Sequence, residues 1–457
     1  MSHVRFDIRN YMAITAILMV LVMTVLDVTL VNVSLPVLAV ELGISDSMTV
    51  WIVTVYQLVI TMLLLPLSSA GDLFSYRRNF LTGVVIFTAA SVLCAMSQSF
   101  TAIVISRGIQ GIGAACVMSV NIALTRLIYP REILGRGMAL NAMVIAVATA
   151  AGPTIAGAIL AVASWHWLFL INIPFGVVAF LIGKRLLPAN PPREHKVRFD
   201  RVSAVENVIV FGLVFYSLGT FARNGDTATG IILLAVGLVT GAFYIRRQLG
   251  REQPMFPVDL FRIPLFSLSI ATSVCSFIAQ NLVMISLPFL FLNNFGFSEI
   301  TTGLLMTPLP LATMIVSPLA ARFVEGHNPG LTAAVGMGVY ACGVILISLL
   351  GDSSATEWQV VWRMALCGIG FGMFQTPNNV VMVLATPLKR TGGAGGMQST
   401  ARLVGQTLGA TLVTLLFAVA LPGWAIHACL FVAVGMSVIA GVLSLSRIGR
   451  IKTTQKK

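Results

Sequence analysis

The 457-residue chain is 57% apolar and only 10% charged, against about 45–50% and about 25% in soluble domains, which excludes an ordinary soluble fold. Its net charge of +13 does not mark a nucleic-acid binder, because the basic residues sit in short clusters between apolar runs, as in the loops of a membrane protein. Cys94, Cys116, Cys275, Cys342, Cys367 and Cys429 stand singly in apolar runs without metal-ligand spacing, so neither a metal centre nor a disulfide framework is expected.

A membrane helix needs about 20 mostly apolar residues, and fourteen such runs follow one another: 11–34, 48–68, 80–98, 101–125, 138–162, 167–187, 203–221, 228–246, 265–292, 301–322, 331–350, 359–385, 395–420 and 423–446. The first is too long for a cleaved signal peptide and lacks its small-residue cleavage site. With the N-terminus on the cytoplasmic side, Arg77, Arg78, Arg126, Lys184, Arg185, Arg246, Arg247, Lys389 and Arg447 all fall on that side, and only Arg223 falls on the other. The alternation obeys the positive-inside rule and places both termini in the cytoplasm.

The first span, TVLDVTLVNVSLP, carries Asp27 in an otherwise uncharged stretch. Intramembrane charge costs about 2.5–3.5 kcal/mol per residue, so it is a candidate functional group by default. The short loop GDLFSYRR follows span two, and its Asp72 and Arg77 are placed to latch helix ends together. Span four carries Arg107 in ISRGIQGIGAA. Asp27 lies about 16 residues and Arg107 about 18 residues from the same face, roughly 24 and 27 Å at the helical rise. The two therefore share a depth. Span five contains ATAAGPTIAG, in which Gly152 and Pro153 permit a kink and close helix approach.

Pro-rich charged linkers then set off two further spans. The chain divides into a six-span bundle (1–187), an accessory pair with linkers (188–264), and a second six-span bundle with a tail (265–457). The halves echo each other: RGIQGIGAA has a counterpart in RMALCGIGFG, which begins at Arg363. Two repeated halves are the construction of secondary transporters. Polar and aromatic candidates for a substrate cavity between them are Trp51, Tyr56, Gln57, Gln280, Asn281, Gln375, Asn378, Asn379 and Arg402. For each one, helix–helix hydrogen bonding or interfacial anchoring is an equally good reading.

Taken in order, LDVTLVNVSLP, GDLFSYRR, RGIQGIG, AGPTIAG and the glycine-rich GGAGGMQSTARLVGQTLG of span thirteen resemble the fourteen-span drug:proton antiporter branch of the major facilitator superfamily. The resemblance implies an all-α polytopic membrane protein with two six-helix bundles and two accessory central helices. It implies proton coupling at Asp27 and Arg107 and gating at Asp72, Arg77, Gly152 and Pro153. The gating loop departs from the branch pattern at Ser68, Leu73 and Ser75.

The expected function is proton-driven export of amphipathic, monocationic or neutral drugs across a bacterial cytoplasmic membrane, by a monomer in contact with lipid and without any cofactor. Export of a specific metabolite or siderophore is the alternative. Neither H-E-x-x-H nor G-x-S-x-G occurs, so an enzyme is not expected.

Overall fold

A computed structural model describes residues 7–130, 133–190, 199–222, 227–251, 254–324, 328–351, 355–386, 391–421 and 423–448. Arg223 and Lys389 lie outside the described residues. Among those described there is no strand. The helices are α1 (Ile8–Leu42), α2 (Asp46–Leu73), α3 (Tyr76–Ala95), α4 (Phe100–Ile128), α5 (Leu134–Val162), α6 (Trp167–Leu170), α7 (Asn172–Leu186), α8 (Arg201–Ala222) and α9 (Thr227–Leu249). They continue as α10 (Pro264–Phe289), α11 (Glu299–Met306), α12 (Pro308–Val324), α13 (Pro329–Ser348), α14 (Glu357–Leu384), α15 (Thr391–Val419) and α16 (Ala425–Leu445).

Thirteen helical stretches among the described residues are long and apolar enough to cross a membrane. The fourteenth expected span is α14, 28 residues long, whose apolar run is diluted by Arg363, Gln375, Asn378 and Asn379. Two expected spans are interrupted. The sixth breaks at Ile171 into α6 and α7, and the tenth breaks at Thr307 into α11 and α12, where Pro308 can donate no backbone hydrogen bond. Both breaks lie where the helix meets a functional neighbour, as described below.

The packing repeats between halves. α3 packs on α4, α2 on α4, α1 on α5 and on α7; correspondingly α13 packs on α14, α12 on α14, α10 on α15 and on α16. The glycines explain the closest of these approaches. A Cβ on Gly113 would stand 2.5 Å from the Phe87 nitrogen, and one on Gly370 would stand 2.3 Å from the Tyr340 nitrogen. Only glycine allows helix backbones so near.

The clustered basic residues Arg77 and Arg78 at the start of α3, Lys184 and Arg185 at the end of α7, Arg246 and Arg247 at the end of α9, and Arg447 just past α16 mark one side of the span pattern, the basic face. Away from that face the two halves share one apolar core, in which Leu30, Val53 and Phe169 join Phe289, Met306 and Phe374. Toward the basic face the apolar contacts fall into smaller clusters. Ile17, Leu64, Phe80 and Leu124 belong to one cluster, which Leu403 of α15 joins, whereas Phe266, Met382 and Met397 belong to another. The largest shared core thus lies away from the basic face, while α2 also packs on α15 of the other half.

The accessory helices do not stand apart. α8 lies against both α2 and α15, and α9 packs on α8. Gly219 of α8 receives the Trp51 ring, against which a Cβ would clash at 2.1 Å, and Asn207 Nδ2 donates to the Met62 carbonyl at 2.8 Å. At the basic face Arg247 reaches Glu206 at 3.4 Å and Asp200 at 3.5 Å, and Arg251 pairs with Asp200. Asp200 also caps α8 by accepting from the Ser203 nitrogen at 3.2 Å. Partial burial raises its pKa, but the Ser203 bonds and the two arginines outweigh this and hold it below the usual carboxylate range.

Candidate functional site

Asp27 and Arg107 are both fully buried and form an ion pair inside the first bundle. The pair is built from five helices. Asp27 comes from α1, midway along a helix whose neighbouring residues are apolar or hydroxylic, so no nearby charge competes for it. Arg107 and Gln110 come from one turn of α4. Gln110 Nε2 donates to Asp27 Oδ1 at 2.8 Å and to Ser91 Oγ of α3 at 2.9 Å. Asn172 Nδ2 donates to Asp27 Oδ1 at 3.1 Å, and it can do so because the break at Ile171 makes it the first residue of α7. Arg107 Nε donates to the Ile52 carbonyl of α2 at 3.2 Å, and Nη1 donates to Gln110 Oε1 at 2.6 Å.

The guanidinium lies 4.1 Å from the centroid of the Tyr56 ring and 5.8 Å from that of Phe169, an arrangement in which the ring faces attract the cation. Yet Arg107 Nη2 and the Tyr56 hydroxyl are buried without partners. Both carboxylate oxygens therefore have donors, while the arginine keeps an unused one. Removing two charges from water costs several kcal/mol per ion, and apolar side chains of similar volume usually pack at no loss. Such a pair is poor value as a structural anchor, and protonation of Asp27 would leave Arg107 seeking another acceptor or water.

Arg363, the apparent repeat of Arg107, does something different. Gly111 approaches the Tyr56 carbonyl and Gly368 the Leu309 carbonyl, while Gly113 and Gly370 approach the third helix of each half. Those glycines align, but Arg107 precedes Gly111 by four residues and Arg363 precedes Gly368 by five. One residue turns a helix by about 100°. Arg363 consequently bonds its own helix at the Gln359 carbonyl, 2.7 Å away, and lies over Trp362 at 4.5 Å. The second bundle has no equivalent ion pair among the described residues.

The far-side seal runs through glycine. A Cβ on Gly157 of α5 would meet the Glu299 carbonyl oxygen at 2.5 Å, and one on Gly303 of α11 would meet the Pro153 carbonyl oxygen at 2.3 Å. Thr154 and Thr307 share a hydrogen bond of 2.7 Å across the same junction, the latter at the break in the tenth span. Gly152 faces inward instead, where a Cβ would clash with Thr29 Oγ1 of α1 at 1.9 Å. Pro153 lies between the two contacts.

At the basic face Asp72 and Arg77 are not paired. Asp72 Oδ1 accepts from the Tyr76 hydroxyl at 2.6 Å, while Arg77 donates to the Lys184 carbonyl at the end of α7. Two asparagines also tie these ends together. Asn190 accepts from the Tyr76 nitrogen at 2.8 Å and donates to the Gly71 carbonyl at 3.1 Å. Asn79 donates to the Leu67 carbonyl at 3.1 Å. The sequence gives no sign of this, since a loop asparagine is unremarkable.

The polar residues considered for a cavity scatter. Trp51 packs on α8 and Tyr56 under Arg107, so they do not form a shared aromatic wall. Asn378 is buried against Ser273 Oγ at 2.7 Å and accepts from Arg447 at 2.6 Å, which removes it from any open cavity. Arg447 also donates to Ser269 Oγ at 2.8 Å and Ser444 Oγ at 2.6 Å. Burial lowers its pKa to about 10, still high enough for a full charge at neutral pH. Gln57 and Asn281 do meet between the bundles, at 3.5 Å, with Asn281 also donating to the Gln406 carbonyl at 2.6 Å. Beside them Thr61 and Thr407 share a bond of 3.1 Å. Gln280, Gln375 and Asn379 are half-buried. Arg402 is half-buried too, and its Nε is without a partner.

Residues 17–410 match the family model described as Major Facilitator Superfamily. The chain is 48% identical over 440 residues to "Uncharacterized transporter YebQ" of Escherichia coli, with 96% of each covered. It is 28% identical over 425 residues to "Multidrug efflux pump LfrA" of Mycolicibacterium smegmatis, covering 91% of this chain and 82% of that one. Among solved structures it resembles a POT family transporter in complex with 5-aminolevulinic acid, at 16% identity, a TM-score of 0.71 and 96% coverage of both chains, a likeness of fold alone. Fold, span pattern and family model agree: the chain belongs to the Major Facilitator Superfamily and is a multi-pass membrane transporter.

Proposed function

We propose that the protein is a proton-coupled antiporter that exports amphipathic small molecules by alternating access, with Asp27 as the proton-carrying group. The observation that carries this reading is the buried Asp27–Arg107 pair, a costly charge pair kept in a bundle whose far side is closed against the other half. In this reading the basic face is cytoplasmic and the bundles 1–187 and 265–457 rock against each other. The Gly157–Gly303 junction is the external gate. Residues 188–264, with α8 across α2 and α15, brace the moving boundary. Protonation of Asp27 releases Arg107, and the freed guanidinium is what the other conformation must satisfy.

The relatives that carry multidrug names support drug export as the substrate class. A single buried acid among the described residues supports coupling to few protons, and therefore a neutral or monocationic substrate. The test is proton release from everted membrane vesicles on addition of ethidium, for wild type and Asp27→Asn. Release by wild type that Asp27→Asn abolishes, with ethidium binding retained, supports the reading. Release that persists in Asp27→Asn assigns coupling to another group. A wild type that releases no proton for ethidium or any dye of a cationic and neutral panel moves the substrate class to a specific metabolite.

A further inference from the structure

On the outer wall of the first bundle, a groove of about 380 Å³ runs along α3 beside α7. Its upper wall is apolar, made by Leu81, Val85, Ile86 and Phe180, and its mouth at the basic face carries Ser75, Arg77 and Arg78. Lys184 and Arg185, in the last turn of α7, stand at the same level. None of these four cations has a carboxylate partner among the described residues. Arg77 spends one nitrogen on the Lys184 carbonyl, and Arg78 is exposed.

We propose that this groove is a binding site for an anionic glycerophospholipid of the leaflet at the basic face. The occupant follows from place and charge together. α3 is a membrane-spanning helix, so its groove opens on the bilayer and an acyl chain is what lies beside Val85 and Ile86. The helix ends at the headgroup level, and there the groove offers two arginines and a serine hydroxyl. Guanidinium groups bind phosphate in a forked geometry, and the unneutralised lysine and arginine next to them add to the field. A zwitterionic lipid satisfies the apolar wall but gains little net attraction from four cations. The site is independent of the substrate pathway and of whether Asp27 carries the proton.

Native mass spectrometry of the whole purified chain, titrated with phosphatidylglycerol or phosphatidylcholine, tests this directly. Each basic residue near an anionic headgroup contributes about fivefold, so Arg77→Gln with Arg78→Gln lowers phosphatidylglycerol affinity on the order of 30-fold. Phosphatidylcholine binding stays as it was. Val85→Trp fills the groove and keeps both arginines, and it reduces phosphatidylglycerol binding as well. Equal affinity for the two lipids in wild type overturns the proposal. So does a Val85→Trp variant that binds phosphatidylglycerol normally, because the arginines would then act as a diffuse surface charge. Thermal unfolding of each variant separates lost binding from lost fold.

Discussion

Gly303→Ala is the sharpest perturbation of the far-side seal. The added Cβ would stand 2.3 Å from the Pro153 oxygen and 3.1 Å from both the nitrogen and the Cα of Gly157, whereas ordinary contact begins at 3.4 Å. All three obstacles are backbone atoms of the opposite bundle, so no side chain can rotate away. The helices must separate by about 1 Å, and overpacking of this kind costs about 1–3 kcal/mol. The strain exists only while the seal is closed, so the closed population falls by about 5- to 150-fold relative to the open one. Met306 is fully buried at this junction, and a single cysteine placed there reports on opening through its rate of reaction with an impermeant maleimide added from the far side. Gly303→Ala should raise that rate. Gly405→Ala is the control: a Cβ there meets the Val274 oxygen at 2.7 Å within one bundle, so it should lower the melting temperature without raising the rate. An unchanged rate in a folded Gly303→Ala protein would refute the gate.

Four further outcomes follow from the same geometry. Arg107→Lys should fail to support proton-coupled flux, because a compact ammonium cannot span the guanidinium fork that reaches Asp27 and Gln110 from Nη1 and the Ile52 carbonyl from Nε; flux assays in everted vesicles check this. Arg447→Ala should destabilise the second bundle by about 1–3 kcal/mol by leaving Asn378, Ser269 and Ser444 short of a buried partner, seen as a lower melting temperature. Because the Asp200 pKa is depressed in the folded state, its stabilising contribution is present above the unfolded carboxylate range of about 4 and is lost as pH falls through the lower folded value. Acid titration of hydrogen exchange at the start of α8 should show that loss, and Asp200→Asn should flatten it. Dications should be poor substrates, since no free intramembrane carboxylate faces them among the described residues; proton-dependent export of a divalent dye measures this.

Much of this architecture was legible because its signals are one-dimensional. Span length, the alternation of arginines and the depth of Asp27 against Arg107 are distances along a helix, and the structure joins those two residues in an ion pair. The partners of the pair were less accessible. Gln110 stands in the same turn as Arg107, so helical spacing points to it, whereas Asn172 reaches Asp27 through a helix break whose one sequence mark is Pro174, a residue that does not by itself say which side chain the break turns inward. Arg363 shows the limit of reading repeats by residue type: a one-residue offset from its glycines turns it away from the bundle interior. Asp72 and Arg77 stand out by charge as latch residues, and each makes its own bond at the helix ends. Asn79 and Asn190 add bonds to backbone groups there, which a neutral amide does not announce. The docking of α8 across α2 and α15 depends on small residues meeting Trp51 and Met62, a complementarity visible only in three dimensions.

The central claim is that the protonation of Asp27 sets the balance between conformations. It is tested most directly by distance measurements between spin labels at Glu41→Cys and Asn293→Cys, exposed positions on the far side of opposite bundles, in a background where the exposed Cys342 is replaced by serine. The prediction is a distance distribution that shifts with pH in the wild-type background and no longer responds to pH in Asp27→Asn. A shift of the same size and midpoint in both proteins would contradict it.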